Sequence, residues 1–199
     1  MALAIRIARV RDLKLMDRFI DAFKILLDHE GGFVNHKNDR GGATKYGITI
    51  VTLSSYQGRP ATIDDIKALT IKDAERIYWV MYWEPMGGPE INDFNLAFIL
   101  FDQAVNRGVS KVIRQVQKCI NLMQSSCQLA EDGIMGESTL KALNAQDSKI
   151  LAENFLQVSR ESYRKIVEQN PSQQVFLAGW MNRVDKLAAI LNETKEGQS

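Results

Sequence analysis

Cysteine and histidine are nearly absent: among 199 residues the chain has two of each, Cys119, Cys127, His29 and His36. No Cys/His cluster has the spacing of metal ligands, so a metal site is not expected. On one continuous helix the eight positions between the cysteines span about 12 Å, too far to bridge. A helix ending near Gln124 would let them pair; free thiols are the expectation, and the chain is no disulfide scaffold. A charge excess is missing as well. With 25 basic and 24 acidic residues the formal charge is +1, which argues against a nucleic-acid binder that works by neutralising phosphates. No apolar run approaches the roughly 18 residues of a transmembrane helix, so stable membrane insertion is not expected. The opening stretch is broken by Arg6 and Arg9, whereas a secretory leader needs an unbroken apolar segment. Synthesis in the cytoplasm without a recognisable signal peptide is the expectation. There is no internal repeat and no low-complexity linker.

What is present is the composition of a globular chain, 45% apolar and 25% charged, long enough for one domain or one domain with a small appendage. The periodicity is helical almost throughout. Leu13, Met16, Phe19, Ile20, Phe23, Leu26 and Leu27 predict an amphipathic helix over 13–30, ended by Gly31-Gly32. From Phe33 to Gly47 the chain reads as a long, polar, glycine-rich loop; such loops are uncommon unless they have a function. Thr49 is placed to cap a helix ending near Gly58, although Ile48 to Leu53 is β-branched enough for a strand. Thr70 with Asp73 opens a helix to Trp83, ended by Pro85 and Gly87-Gly88. Further helices are expected over 93–107, from Ser110, over 137–144, over 148–168 to the break at Asn170-Pro171, and over 172–192. The fold class is therefore mainly α, with the two halves packed together.

Function shows at Glu30. At the end of a helix the C-terminal carbonyls carry partial negative charge, which disfavours ionisation of a neighbouring carboxyl. A proton held in this way suits the general acid of a glycosidase, which must protonate a leaving sugar. Gly31 and Gly32 leave room for a bulky polysaccharide to approach the backbone. An isolated glutamate in this position would ordinarily be a solvated helix end; the segment downstream changes that. Asp39 lies nine positions after Glu30, and Thr44 fourteen. A second carboxylate can stabilise charge at the anomeric carbon or activate water, and a hydroxyl can position that water. Asp39 and Thr44 are equally at home in turn chemistry, and both readings stay open. His29 and His36 receive no role.

Glu30-Gly31-Gly32-Phe33, then Gly41-Gly42-Ala43-Thr44 and Tyr46-Gly47-Ile48-Thr49, resembles the signature of glycoside hydrolase family 108, N-acetylmuramidases of phages and bacteria. Asp132-Gly133-Ile134-Met135-Gly136 with Thr139-Leu140, Asn170-Pro171-Ser172-Gln173 and Gly179-Trp180-Met181-Asn182-Arg183 resemble the peptidoglycan-binding region that accompanies it. The resemblance runs from about residue 16 to 187. It implies a lysozyme-like helical domain over 13–107 with the long loop at its active site. A helical peptidoglycan-binding region over 108–192 would pack against it, followed by a flexible tail over 193–199. It implies hydrolysis of the β-1,4 bond between N-acetylmuramic acid and N-acetylglucosamine, with Glu30, Asp39 and Thr44 catalytic and no cofactor. Gly31, Gly32, Phe33 and Tyr46 would line the cleft. Phe33 stands where tyrosine is usual, which removes one hydroxyl.

Two further groups bear on the cleft. Asn95, Asp102 and Asn106 share one stripe of an apolar helix. Asp102 reads as part of an internal hydrogen-bond network; Asn106 reads equally as network or as sugar contact. Of the aromatic cluster Tyr78, Trp79, Tyr82 and Trp83, most read as core, with Tyr82 and Trp83 the ones to reach a groove beside the Pro/Gly turn. The expected partner is a peptidoglycan glycan strand, met by a monomer in the cell wall or periplasm; export by a holin or a secretion system would need no leader. Two alternatives remain: a lytic transglycosylase, and a non-catalytic wall-binding or phage/secretion assembly module. A peptidase is disfavoured by the missing Cys/His and zinc-ligand sets.

Overall fold

The computed structural model describes residues 14–27, 44–124 and 128–193. Within them the chain is mainly α, with one two-stranded antiparallel hairpin and no helix long and apolar enough to cross a membrane. Two compact units divide between Pro89 and Glu90.

The first unit begins with α1 (14–27), which buries Phe19, Ala22, Phe23 and Leu26 at helical spacing. The hairpin β1 (Thr44–Lys45) and β2 (Ile48–Thr49) follows, with Thr44 opposite Thr49 and Lys45 opposite Ile48. It replaces the end of the loop expected over 33–47. The cause is the two-residue turn: Tyr46 and Gly47 have φ of 54° and 74°, the left-handed pair whose twist matches that of the flanking strands. Gly47 takes this conformation freely, Tyr46 at a cost.

Helix α2 (Ile50–Gln57) starts on Thr49, whose hydroxyl accepts from the amide of Thr52, and ends on left-handed Gly58. The β-branched run thus divides, Ile48-Thr49 going to the strand and Ile50 onward to the helix. Helix α3 (Ile63–Ala68) was not expected; one buried residue, Ile66, in six leaves no period to read. Its signal was the capping box of Thr62 with Asp65. The same box, Thr70 with Asp73, opens α4 (Ile71–Tyr78). The expected run to Trp83 is kept, but Trp79–Trp83 is a π-helical turn, in which the Glu84 amide donates to the Trp79 carbonyl at 3.0 Å. A ring cluster fills this unit. Phe19 meets Trp79 edge-on at 5.1 Å and Trp83 at 5.8 Å, and Phe23 lies 5.4 Å from Tyr78. Gly88 closes over the cluster, since a Cβ there would sit 2.4 Å from the Trp83 ring.

The second unit is built around α5 (Phe94–Arg107), capped by Asp93 and buried continuously from Leu96 to Ala104. Gly108, with φ of 88°, is the whole connection to α6 (Val109–Met123), which opens one residue before Ser110. Then come α7 (Glu137–Asn144) and α8 (Ser148–Gln169), started by Asp147. After the turn Pro171–Gln173, α9 (Gln174–Glu193) packs on α8 and α5. The Asp132-Gly133 loop is organised by buried Gln117. Its Nε2 donates to Asp132 Oδ1 at 2.8 Å and to the Ile134 carbonyl at 3.1 Å, and its Oε1 accepts from the Gly133 amide at 2.9 Å. Cys119 carries a free, buried thiol whose pKa burial pushes up to about 11, so it is a poor nucleophile. Cys127 lies outside the described residues.

Candidate functional site

Glu30, Gly31, Gly32, Phe33 and Asp39 lie outside the described residues. Thr44, Tyr46, Tyr82 and Trp83 belong to the first unit and Asn106 to the second.

Thr44 is half-buried at the start of β1, held across the ladder by Thr49. Two contacts fasten the hairpin. Lys45 Nζ donates to the Lys67 carbonyl at the end of α3, at 2.7 Å. The Tyr78 hydroxyl donates to the Tyr46 carbonyl at 3.0 Å. The Lys45 ammonium also lies 5.5 Å from the Tyr46 ring centre, within cation–π range. A turn tied to two helices gives Thr44 and the half-buried Tyr46 a rigid base, as a functional constellation needs. Tyr78 was read only as core; nothing in its local sequence announces a partner 32 positions away.

Tyr82 and Trp83, adjacent in the π turn, divide. Tyr82 stays half-buried and packs on Tyr78 at 5.7 Å. Trp83 is at 0% exposure, wedged between Phe19 and the Gly88 backbone, so only Tyr82 keeps a ring edge open to a ligand.

In the second unit Asp102 is an internal hydrogen-bonding residue, as its place on an apolar helix suggests. At 0% exposure, its two oxygens accept from Arg183 Nε and Nη2, both at 2.8 Å. Such a forked pair joins α5 to α9 with fixed geometry. Asn106 is exposed one turn further on, and its Nδ2 donates to the Asp102 carbonyl at 2.8 Å. It stands at the rim of a cavity of about 380 Å³ shared with Arg107, Lys111, Tyr163, Trp180 and Arg183. Burial lowers the Arg107 pKa and raises that of Tyr163. Among the described residues no group of His, Cys, Asp and Glu could hold a metal ion.

Comparison with known proteins places its boundary between residues 108 and 111, well after the Pro89/Glu90 division, so that α5 falls in the first matched region. Residues 23–108 match the model of glycosyl hydrolase 108, and residues 111–185 that of a predicted peptidoglycan domain. The structure of Brucella abortus SagA is similar over 90% of this chain and 97% of that one, with 26% identity and a TM-score of 0.76. No curated protein matches. The chain thus carries a glycosyl hydrolase 108 region over 23–108 followed by a predicted peptidoglycan domain over 111–185, which at family level is the make-up of a peptidoglycan hydrolase.

Proposed function

We propose that the protein is an N-acetylmuramidase that cleaves the β-1,4 bond between N-acetylmuramic acid and N-acetylglucosamine, with Glu30 as general acid. The observation that carries this reading is the family match over 23–108, the stretch that contains Glu30, Asp39 and Thr44. Glu30 protonates the departing glycosidic oxygen. Asp39 stabilises the positive charge that develops at the anomeric carbon or activates water, and Thr44 orients that water. The fastened 44–49 hairpin supports the role of Thr44, because a hydroxyl that positions water must itself be held still. Gly31, Gly32, Phe33, Tyr46 and Tyr82 line the groove for the glycan, and the chemistry needs no cofactor. Action in the cell wall or periplasm follows from the substrate. Release through a holin or a secretion system, and action as a monomer, complete the reading.

Digestion of purified peptidoglycan by the wild type and by Glu30→Gln, with products identified by mass spectrometry, tests it. Glutamine keeps the shape of the side chain but has no acidic proton to give. Fragments with reducing N-acetylmuramic acid ends from the wild type, and a loss of at least about 100-fold in Glu30→Gln, are expected. Anhydro ends would make the protein a lytic transglycosylase. Wall binding without any release of fragments would make it a binding module.

A further inference from the structure

Two cations of the cavity beside Asn106, Arg107 and Lys111, have no acidic partner among the described residues. Arg183 is fully engaged by Asp102. Arg107, the last residue of α5, has only neutral partners among the described residues. Its Nη1 donates to Ser159 Oγ at 3.0 Å and lies 3.5 Å from Gln103 Oε1, and its Nη2 donates to Ser162 Oγ at 3.2 Å. The guanidinium carbon stands 5.1 Å from the centre of the Tyr163 ring. A guanidinium stays charged even when burial lowers its pKa, and a cation taken out of water without a carboxylate is costly. Lys111 on α6 shares this cavity and is exposed, with no acidic partner among the described residues.

The space continues into a second cavity of about 600 Å³ that also contains Arg107 and Lys111. Arg114, Lys118 and Lys165 join them there, against Glu131 and Glu161 alone, so positive charge dominates the groove. Two aromatic rings, Tyr163 and Trp180, line the first cavity. Trp180 stacks on Tyr163 at 5.0 Å, and Phe176, 53% exposed, lies 6.0 Å from Trp180. A half-buried guanidinium, an exposed ammonium and an aromatic shelf suit a ligand with a carboxylate on one side and apolar carbon on the other.

Peptidoglycan supplies such a ligand. Its glycan strand is neutral once the lactyl group is amidated by peptide; its ionised acids are the free carboxylates of the stem peptide, set among methyl and methylene groups. We propose that this groove binds a free carboxylate of the peptidoglycan stem peptide, with Arg107 and Lys111 on the carboxylate and Trp180 and Phe176 against the neighbouring side chains. The proposal rests on the reading of the protein as a peptidoglycan hydrolase. It gives the second unit a defined task, holding the peptide while the first unit meets the glycan.

The test is a chemical-shift titration of the full chain with a synthetic stem tetrapeptide whose carboxylates are free. Its fully amidated counterpart, a neutral N-acetylglucosamine tetramer and inorganic phosphate are run alongside. The free-acid peptide is expected to shift Arg107, Lys111 and Trp180 resonances, with at least about tenfold weaker binding for the amidated peptide and for Lys111→Glu. Lys111 is exposed, so this variant should fold; Arg107→Gln, checked by thermal melting, should lose binding to a similar extent. Equal binding of the amidated peptide, a preference for the sugar tetramer or for phosphate, or no shift at these residues overturns the proposal. Glu30→Gln separates the two readings. Peptide binding that survives in an inactive Glu30→Gln keeps the groove, whereas hydrolysis by the wild type without peptide binding removes the groove alone.

Discussion

The two units handle polarity in opposite ways. Up to Pro89, the described core is made of rings and aliphatic side chains, and the charged pairs stay outside: Arg59 on Asp65, Lys67 on Asp64. From Glu90 onward the interior holds Asp102, Gln103, Gln115, Gln117, Thr139 and Ser159. All the buried polar residues described lie on that side of the division. Ring packing is close but tolerant of direction, and surface ion pairs contribute little. Buried polar groups are directional, and each must be satisfied or it costs stability. The first unit is thus held by packing. The second is held in register by named partners: Asp102 with Arg183, Gln115 with the Phe155 carbonyl and Ser159, and Gln117 with the Asp132 loop.

That contrast can be pressed from its strongest point downward. Asp102→Asn leaves the Arg183 guanidinium without its carboxylate and should cost about 3–5 kcal/mol, read by urea unfolding of the intact chain. Replacing both partners by apolar residues of similar size, Asp102→Leu with Arg183→Met, should recover most of that loss. If the single change costs under about 1 kcal/mol, the second unit is held by packing after all. Gly88→Ala is the matching test of the first unit. Its Cβ must enter the Trp83 ring, so overpacking of about 1–3 kcal/mol is expected, together with a changed near-UV tryptophan signal. An unchanged signal and stability would mean that the ring cluster is loose.

The smallest effect is that of acid on the surface caps. Asp65 is held below the ordinary carboxylate range, first by the Arg59 fork and then by Thr62; Asp73 is lowered by the Thr70 hydroxyl and amide. Because the folded-state pKa values are depressed, these caps stabilise the protein fully above about pH 4. The contribution is lost as pH falls through the lower folded values. Asp65→Asn with Asp73→Asn should therefore flatten the decline of melting temperature below pH 4, and a slope equal to that of the wild type would show the caps to be inert.

Much of the helical outline was legible because helix ends are local events. Thr49 and Gly58, Thr70 and Asp73, and Asn170-Pro171 each act within about a turn of the backbone they start or stop. The 44–49 hairpin was missed because its turn rests on a tyrosine in the left-handed region, a rare choice that composition does not flag. Helix α3 was too short to show a period, and the π turn leaves the same apolar spacing as the α-helix it extends. At the candidate site, Glu30, Asp39 and Thr44 stood out by residue type and order, since the chemistry demands two carboxyls and a hydroxyl. Asn106 stood out by its place on a stripe.

The contacts that make up the surroundings of those residues were out of reach of any local pattern. Trp83 and Tyr82 are neighbours of like chemistry, yet one is sealed beneath Gly88 and the other is open. Arg107 resembles an ordinary helix-end cation until Ser159 and Ser162, more than 50 positions away, are seen around it. Asp102 reads as a buried acid in need of a partner, but only folding selects Arg183, 81 positions on. The sequence by itself determined where most helices begin and end and which residue types can do the chemistry, because caps and helical periodicity act over a few neighbouring residues. The tertiary structure decided which side chains are buried, paired or left charged, because those outcomes depend on which distant segments share the same few cubic ångströms.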